Sequence, residues 1–170
     1  MNTKYALFLI AACALPIRAG AQKSIETPAA ATTLACPQAG QLKPEQIYGQ
    51  WRVRFDNPPH GLPVDATMQI VRHAEFSESV AGFVHRQPVA AGAGLLAGHA
   101  AKAQLAGDLE DGFLTLDESS NGVSITGTWN GEMVEGSCGK KFKGRWKDTS
   151  DKAPSDAPDI AFTLEKLPGW

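Results

Sequence analysis

Four histidines, His60, His73, His85 and His99, stand in separate segments, with no His-x-His or His-x-x-x-His pair that would place two imidazoles side by side. That spacing predicts no metal site, and nothing else in the chain asks for a cofactor. No serine sits in the Gly-x-Ser-x-Gly turn that would expose a nucleophile beside a histidine base. Carboxylates cluster at Glu110-Asp111 and at Asp117-Glu118, the residue types a glycoside hydrolase uses as acid and base. The first pair, however, is a turn and the second flanks Ser119-Ser120-Asn121-Gly122, so both read as solvated hairpin ends. The expectation is a protein that binds, not an enzyme.

The first residues determine where it would act. Lys4 precedes an apolar run from Tyr5 to Ile17, and Ala19-Gly20-Ala21 supplies an A-x-A cleavage pattern, so residues 1–21 read as a signal peptide. The run is short of the roughly 20 residues a spanning helix needs, so no membrane span is expected. Ile10-Ala11-Ala12-Cys13 also matches a lipobox, which makes lipid anchoring through Cys13 the minor alternative to a free periplasmic or secreted protein. Cleavage takes Lys4 and Arg18 from the sixteen basic residues, and the fourteen left face eighteen acidic ones, a balance that excludes nucleic acid as a natural partner. Cys36 and Cys138 remain, an even number in an oxidising compartment, and are expected to pair. They are structural, since there is no C-x-x-C.

The elements that carry these residues are strands. Residues 22–44 are rich in Ala, Thr and Pro and lack hydrophobic periodicity, which reads as a flexible arm ahead of a domain at 45–170. From Trp51 onward short alternating runs are broken by turn residues. Asp111-Gly112, Asn121-Gly122, Asn130-Gly131 and Gly139-Lys140 read as tight turns. They separate runs at 104–109, 113–117, 123–129, 133–138 and 141–146. Runs at 51–55, 66–72, 80–85 and 160–166 complete a set of eight or nine antiparallel strands. An open sheet of that size exposes two edges, and closure into an up-and-down barrel of about eight strands removes them, which gives an all-β fold.

Trp51, Val53 and Phe55 share one side of the first strand, with Arg52 and Arg54 on the other. Phe142, Gly144 and Trp146 oppose Lys141, Lys143 and Arg145 in the same way, and Val123, Ile125, Gly127 and Trp129 form a third apolar side. Trp51, Phe55, Met68, Ile70, Trp129 and Trp146 are therefore placed inside the barrel, where they either fill it or line a pocket for a small apolar ligand. Lys141, Lys143, Arg145 and Lys147 on one side of a strand, with Arg52 and Arg54, form a basic stripe, an ordinary outer face or an attractor for an anionic partner. The uncharged stretch 89–98 exceeds a hairpin connection, and Leu95 and Leu96 in it are candidates for a lid over the barrel mouth or a contact with a partner.

Gly49-Gln50-Trp51, at the start of the first strand, resembles the G-x-W motif of the calycins, the lipocalin and avidin group of small barrels. That resemblance implies a tryptophan closing one barrel end and a carrier of a small hydrophobic molecule. The segment from Gln46 to Val53 with its preceding arm is similar to the periplasmic metalloprotease inhibitors, small disulfide-bonded barrels whose arm enters a protease active site. Here the wide cysteine spacing departs from the two close cysteines of that group. The sequence thus leaves two functions, an apolar-ligand carrier and a module that binds an exported protein such as a secreted hydrolase, expected as a monomer in either case.

Overall fold

Alternation of inward apolar and outward polar side chains organises the chain from Gly49 to Lys166 into eight strands in the computed structural model. It describes residues 36–87, 96 and 98–169. The signal-peptide reading of residues 1–21, Cys13, residues 22–35 of the arm and Leu95 lie outside the described residues. The strands are β1 (Gly49–Phe55), β2 (Asp65–Arg72), β3 (Ser79–Arg86), β4 (Lys102–Glu110), β5 (Phe113–Ser119), β6 (Gly127–Met133), β7 (Lys141–Asp148) and β8 (Ile160–Lys166). Each pairs antiparallel with the next, and β1 pairs with β8 from Trp51 opposite Lys166 to Phe55 opposite Phe162, so the sheet closes into a barrel with no free edge. Among the described residues no helix is long and apolar enough to cross a membrane.

Two turns and two strands differ from the sequence expectation. Asp111 and Gly112 do adopt positive φ, 47° and 81°, and join β4 to β5 as a two-residue hairpin. Asn130-Gly131 is not a turn: it lies inside β6, which replaces the expected runs 123–129 and 133–138. Gly131 faces inward opposite Gly144, and a Cβ there would lie 3.3 Å from the Phe162 ring, so this glycine makes room for an aromatic side chain. The reversal comes later, where Cys138 and Gly139 take φ of 54° and 73°. Val123 and Ile125 are exposed, at 88% and 50%, instead of forming an apolar strand face. The Asn121 Oδ1 accepts hydrogen bonds from the backbone N–H groups of Val123 and Ser124, each 2.9 Å, and this local turn holds the segment off the ladder until Gly127.

The lower end of the barrel is closed by the segment just before β1. A 3₁₀ turn at Ala39–Gln41 and a short helix α1 (Pro44–Ile47) bury Leu42, Pro44 and Ile47. Ordered cover therefore begins inside the range that composition gave to the arm. Cys36 is bonded to Cys138 in the β6–β7 connection, 102 residues away, which ties this cover to the wall. Trp51 Nε1 donates to the Ile47 carbonyl at 2.9 Å, and Lys166 Nζ donates to the Gln46 carbonyl at 2.7 Å while lying 5.9 Å over the Trp51 ring.

Candidate functional site

The interior is built from every second residue of each strand, and these side chains meet one another. Trp51 lies edge-on to Phe142 at 5.6 Å between ring centroids, Phe55 contacts Trp129 and Trp146 at 5.5 and 6.0 Å, and Trp129 contacts Phe162 at 5.1 Å. Trp51, Phe55, Met68, Ile70, Trp129 and Trp146 are all at most 1% exposed. An eight-stranded barrel has an interior just wide enough for side chains to fill, and these aromatic groups occupy it. Leu96 lies half-buried against this core.

At the upper end the inward rows finish on polar groups. The same alternation that buries Val80 and Val84 carries Arg86 inside β3, and the one that buries Leu114 and Leu116 carries Glu118 inside β5. Glu118 is fully buried, which corrects its reading as a solvated hairpin end; Asp117, its neighbour, points outward. Arg86 Nη1 and Nη2 donate to the two Glu118 oxygens at 2.7 and 2.6 Å. Trp129 Nε1 and Trp146 Nε1 donate to Glu118 Oε2 at 3.0 and 3.1 Å. Arg86 also stacks on both indoles, its Cζ 5.7 and 5.5 Å from the ring centroids. A buried carboxylate is tolerable only when its lone pairs are engaged, and here four strand-borne donors engage them.

His99, from the β3–β4 connection, completes the cluster. Its Nδ1 lies 3.4 Å from Glu118 Oε1 and its Nε2 lies 2.9 Å from Asp148 Oδ1, with the ring edge-on to Trp146 at 5.1 Å. Burial on its own would raise the Glu118 carboxyl, yet hydrogen bonds from His99 and Arg86 and their charges bring it down to about 2. Burial would lower the His99 imidazole, but the two carboxylates outweigh it and hold it above its ordinary value. Gly127 makes this geometry possible. It pairs with Glu118 on one side and Asp148 on the other, and a Cβ there would stand 2.7 Å from Trp146 Nε1 and 3.3 Å from Glu118 Oε2.

The outer wall is different in character on its two sides. Across β7, β8 and β1 the outward residues are Lys141, Lys143, Arg145 and Lys147, then Ala161, Thr163 and Glu165, then Arg52 and Arg54. Lys141 Nζ is paired with Glu165 at 2.7 Å, whereas among the described residues Arg52, Arg54, Lys143, Arg145 and Lys147 enter no ion pair. Thr163 and Glu165 lie between the two basic rows, and an open groove of about 240 Å³ is lined by Arg52, Arg54, Lys141, Thr163 and Glu165. On the far side β4 and β5 present Asp108, Glu110 and Asp117.

Among the described residues no group of three or more His, Cys, Asp and Glu is arranged to hold a metal ion. Arg86, His99 and Asp148 were not singled out by sequence for the mouth cluster, and Glu118 was assigned to solvent. Extending the two-residue period by one step past Val84 and Leu116 would have found Arg86 and Glu118. No signal in sequence pairs His99 with them, because it lies on a connection.

No family model and no curated protein matches the chain. Among solved structures, a redesigned β-barrel is similar over 78% of this chain and 99% of that chain, at 11% identity and a TM-score of 0.42.

Proposed function

We propose that this protein is an exported, non-enzymatic β-barrel that binds an acidic, extended segment of a partner protein along the β7–β8–β1 wall. Of the two functions open to the sequence, this is the protein-binding one. The observation that carries it is a wall on which Arg52, Arg54, Lys143, Arg145 and Lys147 enter no ion pair among the described residues, on a barrel whose inside is already occupied by its own aromatic side chains. Neighbouring strands are about 4.8 Å apart and alternate residues about 6.7 Å apart, so the two basic rows stand about 10 Å apart with cations repeating at the spacing of alternate side chains in an extended peptide. An acidic strand laid along β8 would meet Arg54 and Lys143 on either side of Thr163 and Arg145 beside Ala161, with Arg52 next to Glu165 at the far end. The leader-like pattern read in residues 1–21 and the cysteine pair favour an oxidising compartment as the place of action. A carrier of an apolar molecule would instead have to open space among Trp51, Trp129 and Trp146, which are at most 1% exposed.

The test is the affinity of the mature protein for a hexaglutamate peptide at several salt concentrations. The reading expects binding that weakens with salt, and a loss of about tenfold or more in Arg52→Glu with Arg54→Glu, while Glu110→Gln on the opposite wall leaves it unchanged. Equal loss in both variants, or binding insensitive to salt, would remove the wall as the binding surface.

A further inference from the structure

The polar cluster at the barrel mouth does more than an ion pair requires. Arg86 already gives both Glu118 oxygens a short hydrogen bond, and the two indoles add two more to Glu118. Around them, strands β5, β6 and β7 form a cradle. Glu118 and Asp148 are its walls, Gly127 between them is its floor, and the Trp146 ring closes one side. All of these stand on paired strands. The group occupying the cradle does not: His99 comes from a connection, follows Gly98 at φ 97°, and spans the two walls, 2.9 Å from Asp148 and 3.4 Å from Glu118.

We propose that this cradle is an exchangeable site for a small organic cation, an imidazolium or primary ammonium group, in which His99 serves as the internal ligand. The site is separate from the outer wall, so neither reading depends on the other. The charges explain the class of ligand. Arg86 and Glu118 cancel, which leaves Asp148 facing the cradle with His99 as its counter-charge. Withdrawal of the imidazole leaves a net negative, aromatic-walled space, which a planar or compact cation fits by hydrogen bonds to both carboxylates and by its contact with Trp146. The floor is specific as well, because any side chain at Gly127 would intrude between Trp146 Nε1 and Glu118.

The experiment uses the mature protein and His99→Ala, titrated with imidazole near pH 6, with ethylammonium, and with pyrazole, which has the shape of imidazole without the charge. Tryptophan fluorescence and the near-ultraviolet circular dichroism of Trp129 and Trp146 report occupancy. Saturable binding of both cations and not of pyrazole is expected, tighter in His99→Ala by about tenfold or more because no internal ligand competes. In the unsubstituted protein, affinity for ethylammonium should rise as pH is raised above the ordinary histidine value and the imidazole loses its proton among Arg86, Glu118 and Asp148, with no such rise in His99→Ala. If His99→Ala does not fold alone, imidazolium added during refolding should restore its near-ultraviolet spectrum where pyrazole does not. Equal binding of pyrazole and imidazole, no saturable binding in His99→Ala, or no response of the unsubstituted protein at about a hundred times the Kd of His99→Ala would overturn the proposal.

Discussion

Arg86 and Glu118, on strands separated by β4, meet inside the barrel mouth through two hydrogen bonds of 2.7 and 2.6 Å with both side chains out of reach of solvent. Breaking one half of a buried pair leaves an uncompensated charge, which is worse than removing both. Glu118→Leu or Arg86→Met is therefore expected to lower unfolding free energy by about 3–5 kcal/mol, and the two combined by less than the two single losses added together. Urea unfolding of the four proteins measures this directly.

The same cluster gives stability a dependence on pH at both ends. Arg86 and His99 hold the Glu118 carboxyl down to about 2 in the folded protein, below its ordinary 4.5, so its contribution is present above 4.5 and is lost as pH falls through about 2. His99 is raised above 6.5, so its contribution is complete below 6.5 and is lost as pH rises through the higher folded value. Denaturant unfolding across pH should show a decline on the alkaline side that flattens in His99→Gln.

Three inward or turn glycines should respond differently to alanine. Gly144→Ala puts a methyl against the Asn130 carbonyl in the ladder and is expected to cost about 1–3 kcal/mol or more. Gly127→Ala drives Trp146 Nε1 from Glu118 and should move the indole N–H resonance of Trp146. Gly136→Ala has nothing within 4 Å, and at φ 73° it carries backbone strain alone, about 1 kcal/mol.

Opening the Cys36–Cys138 bond frees a loop of 102 residues, for which the chain-entropy relation gives roughly 4–5 kcal/mol as an upper figure. Cys36→Ser with Cys138→Ser should lose stability toward that figure, and exposure should appear first around Leu42, which lies against Gly139 beside the bond. Hydrogen exchange of α1 and β1 compared with β4 resolves the order.

The barrel was legible because its signals are repeated. Trp51, Val53 and Phe55 against Arg52 and Arg54 fix a face, and closure follows from the number of such strands. Asn130-Gly131 misled because an Asn-Gly pair has the same turn chemistry whether or not a ring such as Phe162 needs the space above it. Val123 and Ile125 misled because the side chain of Asn121 competes with the ladder, a local hydrogen bond that periodicity does not register. The mouth cluster stayed hidden for another reason. Glu118 and Arg86 continue an inward row, but their charge argues for solvent until a partner is known, and 32 residues separate them.

The central claim is that the core of this barrel is its own side chains and that an acidic partner meets the outside. Amide and indole N–H resonances of the mature protein, followed during titration with hexaglutamate, test both halves at once. The account predicts shifts at Arg52, Arg54, Lys143, Arg145 and Thr163, with the indole signals of Trp51, Trp129 and Trp146 unmoved. Shifts of those indoles with the wall residues unchanged would contradict it.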